Sequence, residues 1–257
     1  MRRCFIHIGN FKTGSTSLQS FLYLNRTALK RIKFELINER NYFKNTIHNQ
    51  YLYKYFEKKN FKKIKNYFSK VKTKTDLIIS SEFFSCFSYD TEKIQYLKKT
   101  ISKLGFRPII IFYYRSDKSY LYSLYAQQMT QRKKIDLDNV FEFKNKIEKH
   151  HYYVNKKNKY YFMSQKYNLN NKKIIKNWIK VFKKDFFYIY FNKDNNEKLF
   201  LDFLKILGIK NVFDFEFPTK KNITRRIKFW NFKRIFYYMY LNYYQDKIFK
   251  KDDLKIE

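Results

Sequence analysis

The chain has 257 residues, which is long enough for one α/β domain with a substantial core. Its 56 Lys and Arg residues outweigh its 22 Asp and Glu residues and give a formal net charge of +34. Because the lysines are spread along the whole chain and accompany abundant Asn, Ile, Tyr and Phe, this charge indicates an AT-rich coding sequence and a general attraction to anions, and we expect no specific binding of nucleic acid.

The first predicted element is a short buried strand over residues 4–8, followed by a glycine-containing turn over residues 9–17 and an amphipathic helix. In such a turn the backbone N–H groups converge on one point, and the dipole of the helix adds positive potential there. Hydroxyl groups of the turn supply further donors, and Lys12 supplies a charge. The pattern predicts a phosphate-binding loop; the alternative is an ordinary turn that binds nothing.

The spacing of the loop residues distinguishes between two kinds of phosphate-binding loop. Gly9 and Gly14 fit the first part of the G-x-x-x-x-G-K-[ST] motif of nucleoside triphosphatases. However, Ser15 stands at the position where that motif requires lysine, and Lys12 lies two residues before the second glycine instead.

The sequence Phe-Lys-Thr-Gly-Ser-Thr over residues 11–16 resembles the P-K-[ST]-G-[ST]-T loop of sulfotransferases that use 3′-phosphoadenosine 5′-phosphosulfate. The flanking His-Ile-Gly and Ser-Leu-Gln resemble the bacterial and carbohydrate-directed branch of that family. The loop departs from the usual pattern at Phe11, where proline is common. The resemblance implies that Lys12 stabilises charge on the leaving group. It also implies that the 5′-phosphosulfate binds to Lys12, Thr13, Gly14, Ser15, Thr16 and Ser17.

The remaining predicted elements alternate between strands and helices. Apolar runs predict strands over residues 34–37, 76–80, 108–114 and 186–191. Helical patterns cover residues 45–71, 94–104, 117–131, 174–182 and 197–207, and Gly105 is expected to end its helix. The alternation predicts an α/β fold of the P-loop type with three layers, in which helices flank a central, mainly parallel sheet of about five strands. Residues 133–170 are expected to form a loop and short-helix insertion, and residues 225–257 a C-terminal helical segment.

Three polar residues directly follow predicted strands: Lys12, Glu82 and Arg115. The carboxyl ends of parallel strands meet at one edge of a sheet, and ligands bind there in folds of this class. We therefore expect these three side chains to share one site.

Arg115 begins a second motif. Ser123 lies eight residues after it, which is the Arg-to-Ser interval of the 3′-phosphate site of sulfotransferases, and the segment also resembles the bacterial R-x-x-D-x-x-x-S-x-Y form of that site. A guanidinium suits a phosphate because it donates two parallel hydrogen bonds. The alternative is that Ser116 or Asp117 caps the helix and that the arginine is only solvated.

Transfer of a sulfuryl group to an alcohol requires a base for the hydroxyl proton. In the family that the chain resembles, the strand end occupied here by Glu82 often carries that base. His48 is the rival base, since related enzymes also place one after the second strand. Each has a structural alternative, because Glu82 could be an exposed neighbour of a helix start and a lone histidine is more often structural.

Residues 217–226 form a basic segment that resembles the sulfotransferase loop closing over the phosphate of the nucleotide, with Lys221, Asn222 and Arg225 as its contacts. Basic runs of this kind are otherwise solvated faces. The aromatic and lysine-rich residues 230–244 are expected to pack as a core helix; the alternative is that they contact a membrane surface.

No apolar run approaches the ~18 residues of a membrane-spanning helix, and the run after Arg3 is too short for a signal peptide. Cys4 and Cys86 have neither metal-ligand nor disulfide-framework spacing. We therefore expect a cytoplasmic protein.

Together these features predict one sulfotransferase-like domain over residues 1–257 that needs no metal. It would move a sulfuryl group from 3′-phosphoadenosine 5′-phosphosulfate to a hydroxyl. The branch resemblance implies a carbohydrate or glycolipid acceptor, although no residue identifies the sugar. Two other functions stay open: a P-loop kinase, which would need magnesium and a lysine after Gly14, and a non-enzymatic basic protein that binds nucleic acid or an anionic glycan.

Overall fold

The chain divides into two compact units, Met1–Arg115 with Asn170–Lys221 and Ser116–Leu169 with Asn222–Glu257. The computed structural model of the protein describes residues 1–37, 39, 46–72, 74–116, 119, 120, 123, 171–192 and 195–218. All of the helices and strands given below belong to the first unit. The expected insertion over residues 133–170 and the expected C-terminal segment over residues 225–257 lie outside the described residues, and a single domain over the whole chain stays a prediction.

The described residues of the first unit form a sheet of five strands. They are β1 Arg2–His7, β2 Phe34–Leu36, β3 Asp76–Ser80, β4 Phe106–Tyr114 and β5 Phe186–Tyr190. All neighbouring pairs are parallel, and the order is β2-β3-β1-β4-β5. In this order β3 and β2 lie beyond β1, whereas β5 lies beyond β4 in the opposite direction. The adjacent carboxyl ends of β1 and β4 are therefore the point where ligands bind in folds of this type.

Seven α-helices are described in this unit: α1 Ser15–Leu24, α2 Arg26–Arg31, α3 Gln50–Glu57, α4 Phe61–Phe68, α5 Thr91–Lys103, α6 Asn171–Phe182 and α7 Asn196–Leu207. The helical region predicted over residues 45–71 thus consists of α3 and α4. Gly105 follows the end of α5 with φ +84°, as expected of a glycine at this position. Most of the helix predicted over residues 117–131 lies outside the described residues.

Two 3₁₀ helices complete the described elements, Glu82–Tyr89 and Lys183–Asp185. The sequence analysis missed the first of them, which directly follows β3. Its buried residues include Phe84 and Phe87, which are three residues apart and therefore share one face of a helix with three residues per turn. This short helix fixes the place of Glu82 at its first position.

The two faces of the sheet are covered by different helices. Since side chains alternate between faces along a strand, Phe5 and Ile111 pack on one face, in an apolar cluster that includes Phe21 of α1 and Phe203 of α7. On the opposite face, buried residues such as Ile110 point to the other side, where α5 and α6 contact β4. The sheet between two helix layers confirms the predicted three-layer α/β fold.

Candidate active site

The turn after β1 contains backbone that only glycine adopts without strain. Gly9 and Gly14 have φ values of +25° and +81°. A Cβ atom on Gly9 would lie 2.6 Å from Ser15 Oγ, and one on Gly14 would lie 2.7 Å from the ring of Phe191. Both glycines of the motif are therefore required by close contacts as well as by conformation.

The turn is held against β4 and against itself. Asn10 donates its N–H to the carbonyl of Tyr113 at 3.0 Å, which extends the pairing of β1 with β4 into the loop. The hydroxyls of Thr13 and Ser15 both donate to the carbonyl of Asn10, at 2.6 and 3.2 Å. Thr13 and Ser15 are buried, whereas Thr16 is exposed. Three loop residues, Asn10, Thr13 and Ser15, are thus held by hydrogen bonds before any ligand binds.

The start of α1 presents backbone donors without a side-chain cap. Gly14 occupies the N-cap position and offers no acceptor, and no acidic residue lies in the first turn. The first N–H groups of a helix have no partner within the helix, and the helix dipole makes their surroundings positive. An anion therefore fits the end of this helix, as the loop pattern predicts.

Two cations meet at this loop. Arg115 donates from Nη1 to the backbone carbonyl of Lys12 at 3.1 Å. Burial and the nearby charge of Arg115 lower the pKa of Lys12, while the charge of Glu82 opposes that shift. Burial likewise lowers the pKa of Arg115. The structure thus brings Lys12, Arg115 and Glu82 to one edge of the sheet, as expected from the strand ends, and the two crowded cations favour an anionic ligand.

Glu82 and His48, which the sequence analysis treated as rivals, are in contact. His48 Nε2 lies 3.2 Å from Glu82 Oε2, and the same oxygen accepts a hydrogen bond from Gln19 Nε2 at 3.0 Å. Only 19% of the Glu82 side chain is exposed, so the alternative of an exposed residue at a helix start is wrong. Burial alone would raise the pKa of Glu82, but the hydrogen bond and charge of His48, aided by Gln19, lower it to about 2.

A hydrogen-bonded asparagine explains how His48, which follows no described strand directly, reaches this edge. Asn49 donates its N–H to the carbonyl of Ser80 and accepts from the Ser80 N–H through Oδ1, at 2.9 and 2.8 Å. One backbone and one side-chain hydrogen bond therefore hold Asn49 to the last residue of β3. Its side chain also donates to the carbonyl of Ile37 and to the Tyr67 hydroxyl, which fixes the segment from both sides.

Phe11, which stands where the resembling loop usually has proline, has a packing role. Its ring meets that of Phe83 edge-on, with centroids 5.5 Å apart, and Phe83 meets the His48 ring edge-on at 5.9 Å. One aromatic ring therefore joins the loop to the Glu82–His48 pair.

Sequence reasoning missed two residues of the site for which a signal exists. Gln19 lies four residues after Ser15 and hence on the same face of α1. Phe191 directly follows β5, and its ring lies close to both Gly14 and Arg115, whose guanidinium is 5.5 Å from the ring centroid. The rule of strand ends that identifies Lys12 also applies to Phe191.

The other predicted site residues are placed less fully. Ser17 is half-buried in α1, and Ser123 is helical and half-buried in the second unit. Lys221, Asn222 and Arg225 lie outside the described residues.

Among the residues that the structure describes, no three His, Cys, Asp or Glu side chains form a group that could hold a metal ion. Within the same residues, no helix is long and apolar enough to cross a membrane.

Comparison with known proteins supports the fold. The chain is similar to the crystal structure of a sulfotransferase from Alicyclobacillus acidocaldarius, with a TM-score of 0.51 and 13% sequence identity. The match covers 87% of this chain and 88% of the other. No protein-family model and no curated protein matches the sequence. At this identity the likeness establishes a sulfotransferase-like α/β fold, in agreement with the fold predicted from the sequence.

The close contact at Gly14 gives a prediction for stability. Gly14→Ala and Gly105→Ala introduce the same methyl group at φ values of +81° and +84°, but only the first meets a nearby ring, since the Cβ on Gly105 would have its nearest neighbour at 3.8 Å. Urea unfolding should show a loss of about 1–2 kcal/mol for Gly105→Ala, the cost of the left-handed conformation. The loss for Gly14→Ala should be larger and should shrink when Phe191→Ala is added. Equal losses for the two alanine variants would contradict the packing of Phe191 against the loop.

Proposed function

We propose that this protein is a sulfotransferase that moves a sulfuryl group from 3′-phosphoadenosine 5′-phosphosulfate to a hydroxyl. One observation carries the proposal: Lys12, supported by Arg115, lies at an uncapped helix start within range of the charge of Glu82. Lys12, Arg115 and the start of α1 would bind the anionic phosphosulfate, and Glu82 with His48 would receive the acceptor hydroxyl. A P-loop kinase is less well supported, because Ser15 replaces the required lysine and its hydroxyl is bound to Asn10.

In the proposed reaction the oxygen of the acceptor hydroxyl attacks sulfur, and the bond from sulfur to the bridging oxygen breaks. The electron pair of that bond goes to the 5′-phosphate of the leaving nucleotide. Backbone N–H groups of residues 13–17 and the ammonium of Lys12 stabilise the charge that develops there. Fixed donors of this kind lower the barrier by positioning the donor and by matching its transition state.

The proton of the acceptor would go to His48. Glu82 is a poor proton acceptor, because its Oε2 already faces two nitrogen atoms and its pKa is about 2. With Glu82 ionised, His48 must donate from Nε2, which leaves Nδ1 as the accepting nitrogen. Glu82 would then hold the imidazole in this tautomer and stabilise the imidazolium that forms. This assigns the proton transfer to the pair, with the carboxylate as the orienting member.

Further contacts to the donor are proposed from the motifs. Arg115 and Ser123 would bind the 3′-phosphate, and Lys221, Asn222 and Arg225 would close over the nucleotide. The acceptor class, a hydroxyl of a carbohydrate or glycolipid, is proposed from the sequence resemblance to the carbohydrate-directed branch. The donor site needs no metal in this scheme, since fixed protein donors neutralise the phosphate.

The 3′-phosphate assignment is tested by isothermal titration of 3′,5′-bisphosphoadenosine and adenosine 5′-monophosphate at fixed salt. Arg115→Ala should weaken both ligands, because Arg115 supports the carbonyl of Lys12. The bisphosphate should lose roughly ten-fold more, since a hydrogen bond to a charged group contributes ~1.5–3 kcal/mol. Arg107→Ala is the control, because Arg107 is exposed at the amino end of β4 and pairs with Asp185. If Arg115→Ala weakened both ligands equally, or if Arg107→Ala caused the same losses, Arg115 would not be the residue that binds the 3′-phosphate.

The roles within the pair are tested by the turnover of matched variants. His48→Ala should lower turnover by ~10²–10⁴, the usual contribution of a general base. Glu82→Gln should lower it less, because the amide oxygen can still accept from His48 Nε2 but no longer stabilises the imidazolium by its charge. Glu57→Gln, a change of the same type on α3, should leave turnover unchanged. A dead Glu82→Gln variant beside an active His48→Ala variant would make Glu82 the base instead.

A further inference from the structure

Two buried polar atoms beneath the loop have no hydrogen-bond partner among the described residues: His7 Nε2 and Ser81 Oγ. Both side chains are fully buried, and the two residues are neighbours, since the Ser81 N–H donates to the His7 carbonyl at 3.0 Å. An unsatisfied buried group costs about 1–3 kcal/mol, so such atoms are uncommon in folded proteins. Because they lie at the carboxyl ends of β1 and β3, these two unsatisfied atoms are directly under the candidate site.

The ring of His7 is fixed in one orientation. Its Nδ1 lies 2.9 Å from Ser80 Oγ, and the ring meets that of Tyr113 edge-on with centroids 4.6 Å apart. The opposite edge of the ring faces the loop: a Cβ on Gly9 would lie 2.8 Å from His7 Nε2 and 2.6 Å from Ser15 Oγ. The unpartnered nitrogen and the hydroxyl of the first residue of α1 thus lie on the same side of Gly9.

His7 is neutral at physiological pH. Burial lowers its pKa to about 3; the charge of Glu82 opposes this shift, and the charge of His48 adds to it. A neutral imidazole carries its hydrogen on one nitrogen only. If the Ser80 hydroxyl donates to Nδ1, the hydrogen of His7 is on Nε2, and this nitrogen is a donor that faces the loop.

We propose that His7 is a positioning residue of the anion loop, whose Nε2–H donates to Ser15 Oγ when an anion is bound. The 3.2 Å hydrogen bond from Ser15 Oγ to the Asn10 carbonyl is long for a hydroxyl, which makes it the readily exchanged contact. With His7 donating to its oxygen, the Ser15 hydroxyl turns its hydrogen toward the ligand. The identity of that ligand as the phosphosulfate of the donor rests on the proposed function.

The test is a double-mutant cycle of His7→Phe and Ser15→Ala, read out as affinity for 3′,5′-bisphosphoadenosine by isothermal titration. Phenylalanine keeps a ring against Tyr113 but has no nitrogen. Each single variant should weaken binding about three- to ten-fold, the worth of one hydrogen bond. The double variant should bind no more weakly than Ser15→Ala alone, because His7 acts through Ser15. His7→Gln, which restores an amide N–H, should recover part of the loss, and urea unfolding of each variant confirms that it is folded.

Inorganic sulfate, titrated on the same proteins by NMR, separates this inference from the proposed function. Coupling between the two positions on sulfate supports the role of His7 even if the bisphosphate does not bind. Binding of both ligands without coupling overturns the role of His7 and leaves the proposed function standing. Failure of the wild-type protein to bind either ligand overturns both. Losses that multiply in the double variant would also overturn the inference, since His7 would then act independently of Ser15.

Discussion

The candidate site depends on backbone pairing that continues beyond the end of β1. After the last paired residue, Ile8 and Asn10 still donate to carbonyls of β4, at 2.9 and 3.0 Å. The loop therefore leaves the sheet along β4, and it reaches Arg115, the residue that follows β4. Parallel pairing in the centre of the sheet thus brings the Lys12 backbone to Arg115, and the hydrogen bond from Arg115 to the Lys12 carbonyl joins the two.

Electrostatics divides this edge of the sheet into two functional parts. Lys12 and Arg115 crowd positive charge at the uncapped start of α1, a combination that an anionic donor relieves. On the β3 side, hydrogen bonds from His48, Gln19 and its own backbone, together with the charge of His48, keep Glu82 ionised by lowering its pKa. Such a division suits a reaction in which one substrate is an anion and the other gives up a proton.

The sequence identifies those parts of the site that follow from strand order. Lys12, Glu82 and Arg115 are placed by one rule, because each lies in the segment that follows the carboxyl end of a parallel strand. His48 cannot be placed in this way, since it reaches the site through the pairing of Asn49 with Ser80, which depends on the tertiary structure. The contact between Glu82 and His48 and the unpartnered nitrogen of His7 are likewise properties of packing. The local sequence pattern therefore locates the loop, whereas the contacts among Glu82, His48 and His7 are found only in the folded structure.

The central claim is that the loop binds a sulfuryl-donor nucleotide without metal. The most direct measurement is the melting temperature of the wild-type protein with 3′,5′-bisphosphoadenosine in EDTA, compared with ATP in magnesium. A ligand at a hundred times its dissociation constant stabilises the folded state by ~2.7 kcal/mol, so binding raises the melting temperature by several degrees. We expect this rise with the bisphosphate, and the same rise when magnesium replaces EDTA. No rise with the bisphosphate, or a rise with ATP that requires magnesium, would contradict it.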